Sequence, residues 1–480
     1  MRKIGIVASE SSEVGGKVLL QAGEEGVKAE TIVQIDNPSG KVIGVLRRGL
    51  GVNETLTVGA YRPGVAYAKR GGTPSSAREI FSFNINVIGC CGEGGIEPNK
   101  VILAPRSAVY AFEPGDSPNP MEMIAQGKDV VWIGNYEGVD EWRIPVDVKF
   151  IPYHIAVYGA TGSGKSWLTR YVLIDLLIQA GYRVLLLDWS GMDYAPYLAN
   201  RVRIKDVSWD EEAIIEYICE KARHFGYSGY QRDSNPIKDA VEDFVGDDWA
   251  AKLSSYNSAE QLKADFERAM RSAIEADVQK DRRQSGLLRR LNRGLKRISV
   301  EAYGQIMGVR SPKSLVEDLK DVAAVDMSGV GSEEKLSFFV SLADHLLDQM
   351  QAGESLKLAL IIDEAPQYCP WEPKGLQQDA TERIKALCAL GRKHQLCMTL
   401  ISQGISGDIG INAAVRRNLN TVFFGSIHPL DMEEAKKWLE PYGIPIEYLL
   451  ALKPGRFYFS GKMNPSPTPL LMTFKPRDVK

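Results

Sequence analysis

The run Gly159-Ala160-Thr161-Gly162-Ser163-Gly164-Lys165-Ser166 satisfies GxxxxGK[ST] at every position. Glycines in such a run let successive backbone N–H groups converge on an anion. The lysine that follows reaches the β- and γ-phosphates, and the hydroxyl beside it ligates Mg2+. The pattern assigns cofactor binding to Gly159, Ala160, Thr161, Gly162, Ser163, Gly164, Lys165, Ser166 and the adjoining Trp167. A second feature is Asp363-Glu364, which ends the apolar stretch Leu358–Ile362. Asp363 is placed to hold Mg2+ with Ser166, and Glu364 to polarise a water for attack on a γ-phosphate. A Glu directly after the Asp favours ATP hydrolysis over a GTPase switch. Gln403, at the end of the apolar stretch Met398–Ile401, either senses the γ-phosphate or caps a loop.

These residues need a particular scaffold. His154–Tyr158 reads as a short apolar strand, the glycine run as a turn, and Lys165–Ala180 as a helix apolar nearly all round, Trp167 included. Val184–Leu187 reads as the next buried strand. Strand, helix and strand with continuous apolar strands predict a parallel α/β sheet. The same grammar resumes after about residue 319. Strands are expected at Val322–Val325, Leu358–Ile362, Met398–Ile401 and Thr421–Phe424, with helices at Glu333–Gln351 and Thr381–Lys393. The open edge of such a sheet, beyond the strand C-termini, is where a ligand lies.

Around this core the pattern changes. Residues 1–148 alternate short Val/Ile/Tyr runs with Gly, Pro, Asn and Asp, which predicts a small β-domain. Its strands include Thr31–Ile35, Val42–Leu46, Phe81–Ile88 and Val101–Ala104, with one short helix at Pro120–Gly127. Residues 207–318 read as helices only: Trp209–Phe225, Ile237–Phe244, Ala259–Lys280 and Leu287–Val300. The expected domains are therefore a β-barrel (1–148), an ATPase core (149–206 and 319–464) holding a helical insertion (207–318), and an extended tail (465–480).

Composition agrees with a folded, multi-domain chain. In 480 residues the apolar fraction is 44% and the charged fraction 25%, which excludes disordered, collagen-like and coiled-coil classes. Lys plus Arg is 58 against 61 for Asp plus Glu, so a uniformly basic coat is excluded while a local basic surface is not. The 6 cysteines form no CxxC and the 5 histidines are scattered, so no zinc site is expected. Few cysteines favour a reducing compartment, and no apolar run approaches membrane-spanning length. The expectation is a cytoplasmic protein with no membrane contact.

The ensemble resembles the HerA family of hexameric ATPases, within the larger HerA–FtsK group. The resemblance rests on GATGSGKS (159–166), LALIIDEA (358–365), GRKHQ (391–395), LISQ (400–403) and Val325-Asp326-Met327-Ser328. It covers most of the chain, with the N-terminal region placed like that family's HAS barrel and the helical insertion where the family carries a helix bundle. It implies a RecA-like P-loop ATPase that forms a homo-oligomeric ring, a hexamer, and moves double-stranded DNA. In archaea such proteins work with a NurA-type nuclease, which would dock on the barrel. Lys165, Ser166, Asp363, Glu364 and Gln403 carry over as nucleotide residues. Arg392 carries over as a phosphate-contacting arginine; apart from the resemblance it reads as an end-of-helix cation.

Two departures matter. The family often has an arginine, acting on a neighbouring subunit, where this chain has Tyr153. A trans-acting arginine then comes from Arg143, Arg416 or Arg417. The family's Asp-Pro-His-Gly-Glu-Tyr-like stretch is replaced by Asp188-Trp189-Ser190-Gly191-Met192-Asp193-Tyr194. An alternative function is a partner-gated motor for conjugation, packaging or defence that docks through its barrel; a non-hydrolysing scaffold would need no Glu364. Other residues bear on nucleic-acid contact. Lys280–Arg297 holds eight basic residues and one acid, either a cationic face following phosphates or a solvated surface. The loops Gly191–Tyr194 and Gly404–Gly410 are pore-facing by position in such a fold. His154 reads as a packed core histidine.

Overall fold

The computed structural model describes residues 1–57, 62–74, 79–92, 94–207, 236–246, 249–280, 285–308 and 312–476. The expected helix Trp209–Phe225 lies outside them. The chain divides into two compact units: residues 1–150 with 158–172 and 421–480, and residues 151–157 with 173–420.

The first unit begins with a closed barrel. Its strands are β1 (Arg2–Val7), β2 (Gly15–Leu20), β3 (Ile32–Asn37), β4 (Gly40–Asn53), β5 (Glu79–Gly92), β6 (Gly95–Glu97) and β7 (Ala108–Ala111). The order β2-β1-β7-β3-β4-β5 is closed by a β2–β5 pairing, and β6 adds to β5. All the pairings are antiparallel. Closure leaves those six strands without a free edge, and the interior fills with Ile4, Val18, Val33, Ile35, Leu46, Ile85, Leu103 and Val109. Val101–Ala104 is not a strand, contrary to expectation. Pro98 and Pro105 bracket it, and its backbone is held by a side chain: the Ala104 N–H donates to Asn37 Oδ1 at 2.7 Å. Leu103 still reaches the barrel core, so the apolar signal was real and the ladder was not.

Two more strands, β8 (Val130–Ile133) and β10 (Ile144–Asp147), pair antiparallel. The short strand β9 (Asn135–Tyr136) pairs with β19 (Leu470–Thr473), which pairs with β18 (Arg456–Gly461), which pairs with β17 (Thr421–Phe424). A charged network ties these strands to the barrel. Arg47, on β4, is fully buried. Its guanidinium donates to Glu30 Oε1 (2.9 Å) and Oε2 (3.1 Å), to Thr468 Oγ1 (2.7 Å), and to the carbonyls of Tyr442 (2.7 Å) and Pro469 (2.6 Å). The Tyr458 hydroxyl donates to Glu30 Oε1 (3.2 Å) and the Tyr136 hydroxyl to the Glu30 carbonyl (2.8 Å). A buried ion pair is tolerable only when its remaining polar groups are satisfied, and here they are.

The second unit holds the parallel strands. β13 (Arg201–Arg203), β14 (Val322–Asp326), β12 (Arg183–Asp188), β15 (Leu358–Ile362) and β16 (Leu396–Ser402) pair parallel in that spatial order, with β11 (Ile155–Tyr158) beside β16. Every residue of β15 and β16 is buried, as two-sided coverage by helices requires. Ser332–Gln351 and Leu376–Gly391 are two such helices.

Between Val207 and Val322 the described elements are all helical. Helices Pro236–Val245, Trp249–Ser254, Ala259–Lys280, Ser285–Leu295 and Val300–Ile306 enclose a core of Val241, Phe244, Phe266, Met270, Leu291 and Tyr303. Phe244 and Phe266 meet edge to face with centroids 5.0 Å apart. The expected helix Leu287–Val300 ends at Leu295, and a new one starts after Ser299, whose hydroxyl accepts the Ala302 N–H. Among the described residues no helix is long and apolar enough to cross a membrane.

Candidate active site

The phosphate loop belongs to the first unit. It leaves the buried strand β11 and ends at the helix Lys165–Leu168, which continues through a π turn (Thr169–Leu173) into Ile174–Gln179. Gly162 (φ +80°) and Gly164 (φ +96°) occupy the left-handed region. A Cβ on Gly159 would lie 2.5 Å from Ser163 Oγ. The Ala160 N–H donates to Ser426 O (2.6 Å) and the Gly455 N–H to Ser163 O (3.1 Å), so the loop is braced from both sides. Lys165 Nζ donates to the carbonyls of Gly159 (2.8 Å) and Ala160 (3.2 Å), which lays its ammonium across the loop. Ser166 is half-buried, and Thr161 is exposed. Trp167 departs from the expected buried helix face: it is 45% exposed.

The acidic pair belongs to the second unit. Asp363 is buried directly beyond β15, and its N–H donates to Leu187 O at 3.2 Å. Glu364 takes left-handed angles (φ 48°, ψ 49°), uncommon for a side chain without a short polar group. Its Oε1 accepts a hydrogen bond from Gln403 Nε2 at 2.6 Å. Glu364 and Gln403, picked separately from the sequence, are thus in direct contact.

Two carboxylates join Asp363 that sequence reasoning did not assign to the site. Oxygens of Asp188, Asp193 and Asp363 all lie within 4.8 Å of one another. Burial, then the charges of Glu364, Asp188 and Asp193, push the Asp363 carboxyl up to about 8. Crowded hard oxygen donors whose repulsion a cation would relieve fit Mg2+. A signal for Asp188 was present: it ends an apolar strand just as Asp363 does, and Leu187 pairs in register with Ile362. Asp188 also builds the loop after β12. Its Oδ1 accepts the Gly191 N–H (2.9 Å) and the Ser190 hydroxyl (3.1 Å), and its Oδ2 accepts the N–H groups of Tyr194 and Ala195 (both 2.9 Å).

The arginines lie as follows. Arg392 is exposed, just past the helix Leu376–Gly391, with its guanidinium 4.6 Å over the Tyr153 ring. Arg416 sits 5.2 Å over Trp371, Arg417 is exposed at the end of the short helix Ala413–Arg416, and Arg143 donates to the Trp132 carbonyl. His154 is buried between Cys388 O and the Met398 N–H, as its reading as a packed residue expected.

Comparison with known proteins follows the same lines. Residues 131–344 match the family model described as Helicase HerA, central domain. No curated protein matches the chain significantly. Among solved structures, VirB4 of Thermoanaerobacter pseudethanolicus superposes with a TM-score of 0.50 at 14% identity, covering 74% of this chain and 98% of that one. The bacterial conjugative coupling protein TrwB in complex with ADP and Mg2+ gives 0.49 at 14% identity over 74% and 91%. The genome packaging NTPase B204 of Sulfolobus turreted icosahedral virus 2, in complex with AMPPCP, gives 0.34 at 13% identity over 68% and 99%. The VirB4 likeness shows the mixed α/β fold. Over residues 131–344, the chain is similar to the HerA helicase central domain.

Proposed function

We propose that the protein is an ATP-driven translocase that acts on double-stranded DNA as a homo-hexameric ring. The observation that carries this is the Glu364–Gln403 contact next to Asp363, in a chain that also has a complete phosphate loop and a match to the HerA central-domain model over residues 131–344. A mere nucleotide-binding scaffold has no use for an oriented base. Lys165 and the loop N–H groups hold the β- and γ-phosphates. By motif, Ser166 and Asp363 would each offer an oxygen to Mg2+, and Asp188 and Asp193 would add negative charge beside Asp363. The ion neutralises charge on the phosphates. Glu364 accepts the proton of the attacking water, and Gln403 fixes its carboxylate. Arg392 spreads charge at the transition state, and Arg143, Arg416 or Arg417 of a neighbouring subunit completes the site. The HerA resemblance supports the ring, the DNA cargo and a NurA-type nuclease docking on the barrel.

Glu364→Gln tests the chemistry. The variant keeps shape and loses the base, so ATP turnover drops by roughly 100-fold or more while binding of a fluorescent ATP analogue is retained. Turnover near the wild-type rate would show that Glu364 is not the base.

A further inference from the structure

The helix Ser285–Leu295 has two faces with different chemistry. Leu291 and Leu295 are 3% and 2% exposed and pack in the helical core with Ile298 of the following turn. Arg289, Arg293 and Lys296 are exposed and line one groove of about 420 Å3 together with Leu288 and Asn292. The four-residue spacing puts Arg289 and Arg293 on one side of the helix, and Lys296, three residues on in the turn just past its end, lines the same groove.

Their partners, or lack of them, distinguish these cations from their neighbours. On the adjacent helix Ala259–Lys280, Arg268 pairs with Asp265 at 2.7 Å and Arg271 with Glu267 at 2.8 Å. Arg271 also donates to Asn292 Oδ1 at 2.8 Å, so this cation bridges Glu267 and a residue lining the groove. Arg289, Arg293 and Lys296 have no ion pair among the described residues. Part of the basic run noted in the sequence, residues 281–284 with the side chains of Lys280 and Arg290, lies outside those residues.

We propose that this face binds the phosphate backbone of DNA; the inference rests on the reading of DNA as the cargo and adds a contact surface on the helical segment. Three observations favour a polyanion. The cations are exposed and have no ion pair among the described residues. From Arg289 to Lys296 they span seven residue steps, about 10 Å at helical rise, which matches the axial rise of about three nucleotides of one strand. Among the described side chains of the helix, Leu291 and Leu295 are buried in the core and Leu288, half-buried in the groove, packs against it, so these residues offer no exposed apolar anchor of a protein interface. Contacts of this kind position DNA without reading its sequence.

The test measures binding of a fluorescent 30-base-pair duplex to the full-length protein by anisotropy across a potassium chloride series. Wild type is compared with Arg289→Gln/Arg293→Gln/Lys296→Gln, with the single variant Arg293→Gln, and with a control, Arg268→Gln/Lys313→Gln, which removes exposed cations already paired within their own helices. The slope of log affinity against log salt should fall by about two to three in the triple variant and about one in the single variant. Affinity at moderate salt should fall about tenfold or more in the triple variant, with the control and the DNA-free ATPase rate unchanged. If wild type and the triple variant bind duplex alike, this inference is overturned and the translocase reading stands. If wild type binds no duplex, the translocase reading falls and takes the inference with it. Unchanged DNA binding together with lost binding of poly-glutamate would assign the face to an acidic protein and overturn the proposal. The single variant keeps the test decisive should the triple variant misfold.

Discussion

His154 shows how much one side chain fixes. It sits at φ +67° ahead of β11. Its Nε2 donates to Cys388 O at 2.8 Å and its Nδ1 accepts the Met398 N–H at 3.1 Å, which specifies one neutral tautomer. Burial lowers its pKa to about 4, against a smaller opposing effect from the Cys388 bond. In the unfolded chain it titrates near 6.5, so between about pH 6.5 and 4 the unfolded state takes up a proton that the folded state refuses. Stability therefore falls as pH drops through that window, by up to about 3 kcal/mol from this group. Urea unfolding at pH 7.5, 6 and 5 should show a steeper acid loss for wild type than for His154→Gln; equal slopes would contradict the assignment. At this scale the sequence showed much of the site. The phosphate loop and the acid pair follow from residue type and spacing alone. Asp193 does not, because its carboxylate reaches Asp363 only through the fold of the loop after β12. Arg392 was legible as a cation, while its seat on Tyr153 depends on two segments far apart in the chain.

The loop after β12 is the element most tightly specified by its surroundings. Asp188 accepts four hydrogen bonds from it, and Lys335 Nζ donates to the Trp189 carbonyl at 2.7 Å while lying 4.4 Å from the indole centroid. Gly191 has φ +72°, and a Cβ there would lie 2.1 Å from Asp326 Oδ1 and 2.8 Å from Ser328 Cβ. Gly191→Ala must both adopt a strained backbone and push Asp326 aside, at a cost of about 1–3 kcal/mol. A thermal melt a few degrees below wild type is expected, and an unchanged melt would show that the loop gives way freely. Among the elements, strands Leu358–Ile362 and Thr421–Phe424 and helix Ala259–Lys280 have the boundaries their patterns predict. Those segments are long or fully apolar and bounded by clear stops. Val101–Ala104 misled because apolar residues can enter a core without joining a ladder. β18 and β19 escaped notice because their pairing is set by contacts distant in sequence, which no local pattern encodes.

In the molecule as a whole, two features organise the chain that composition does not reveal. One is the closed barrel, expected from the short β runs of residues 1–148 and closed by the β2–β5 pairing, which no local pattern encodes. The other is the buried Arg47–Glu30 pair, which links β4 to the segment around Thr468 and Pro469. A cation followed by another cation at Arg47-Arg48 reads locally as surface; only the assembled unit surrounds it with acceptors. The proposed translocase couples ATP hydrolysis to duplex DNA. The most direct test is steady-state ATP hydrolysis by the purified protein with and without linear duplex DNA, beside Lys165→Ala. A duplex-coupled ATPase should show a several-fold rise with duplex and no activity in the variant in either condition. A rate indifferent to nucleic acid would contradict it and would point instead to a motor switched on by a partner protein.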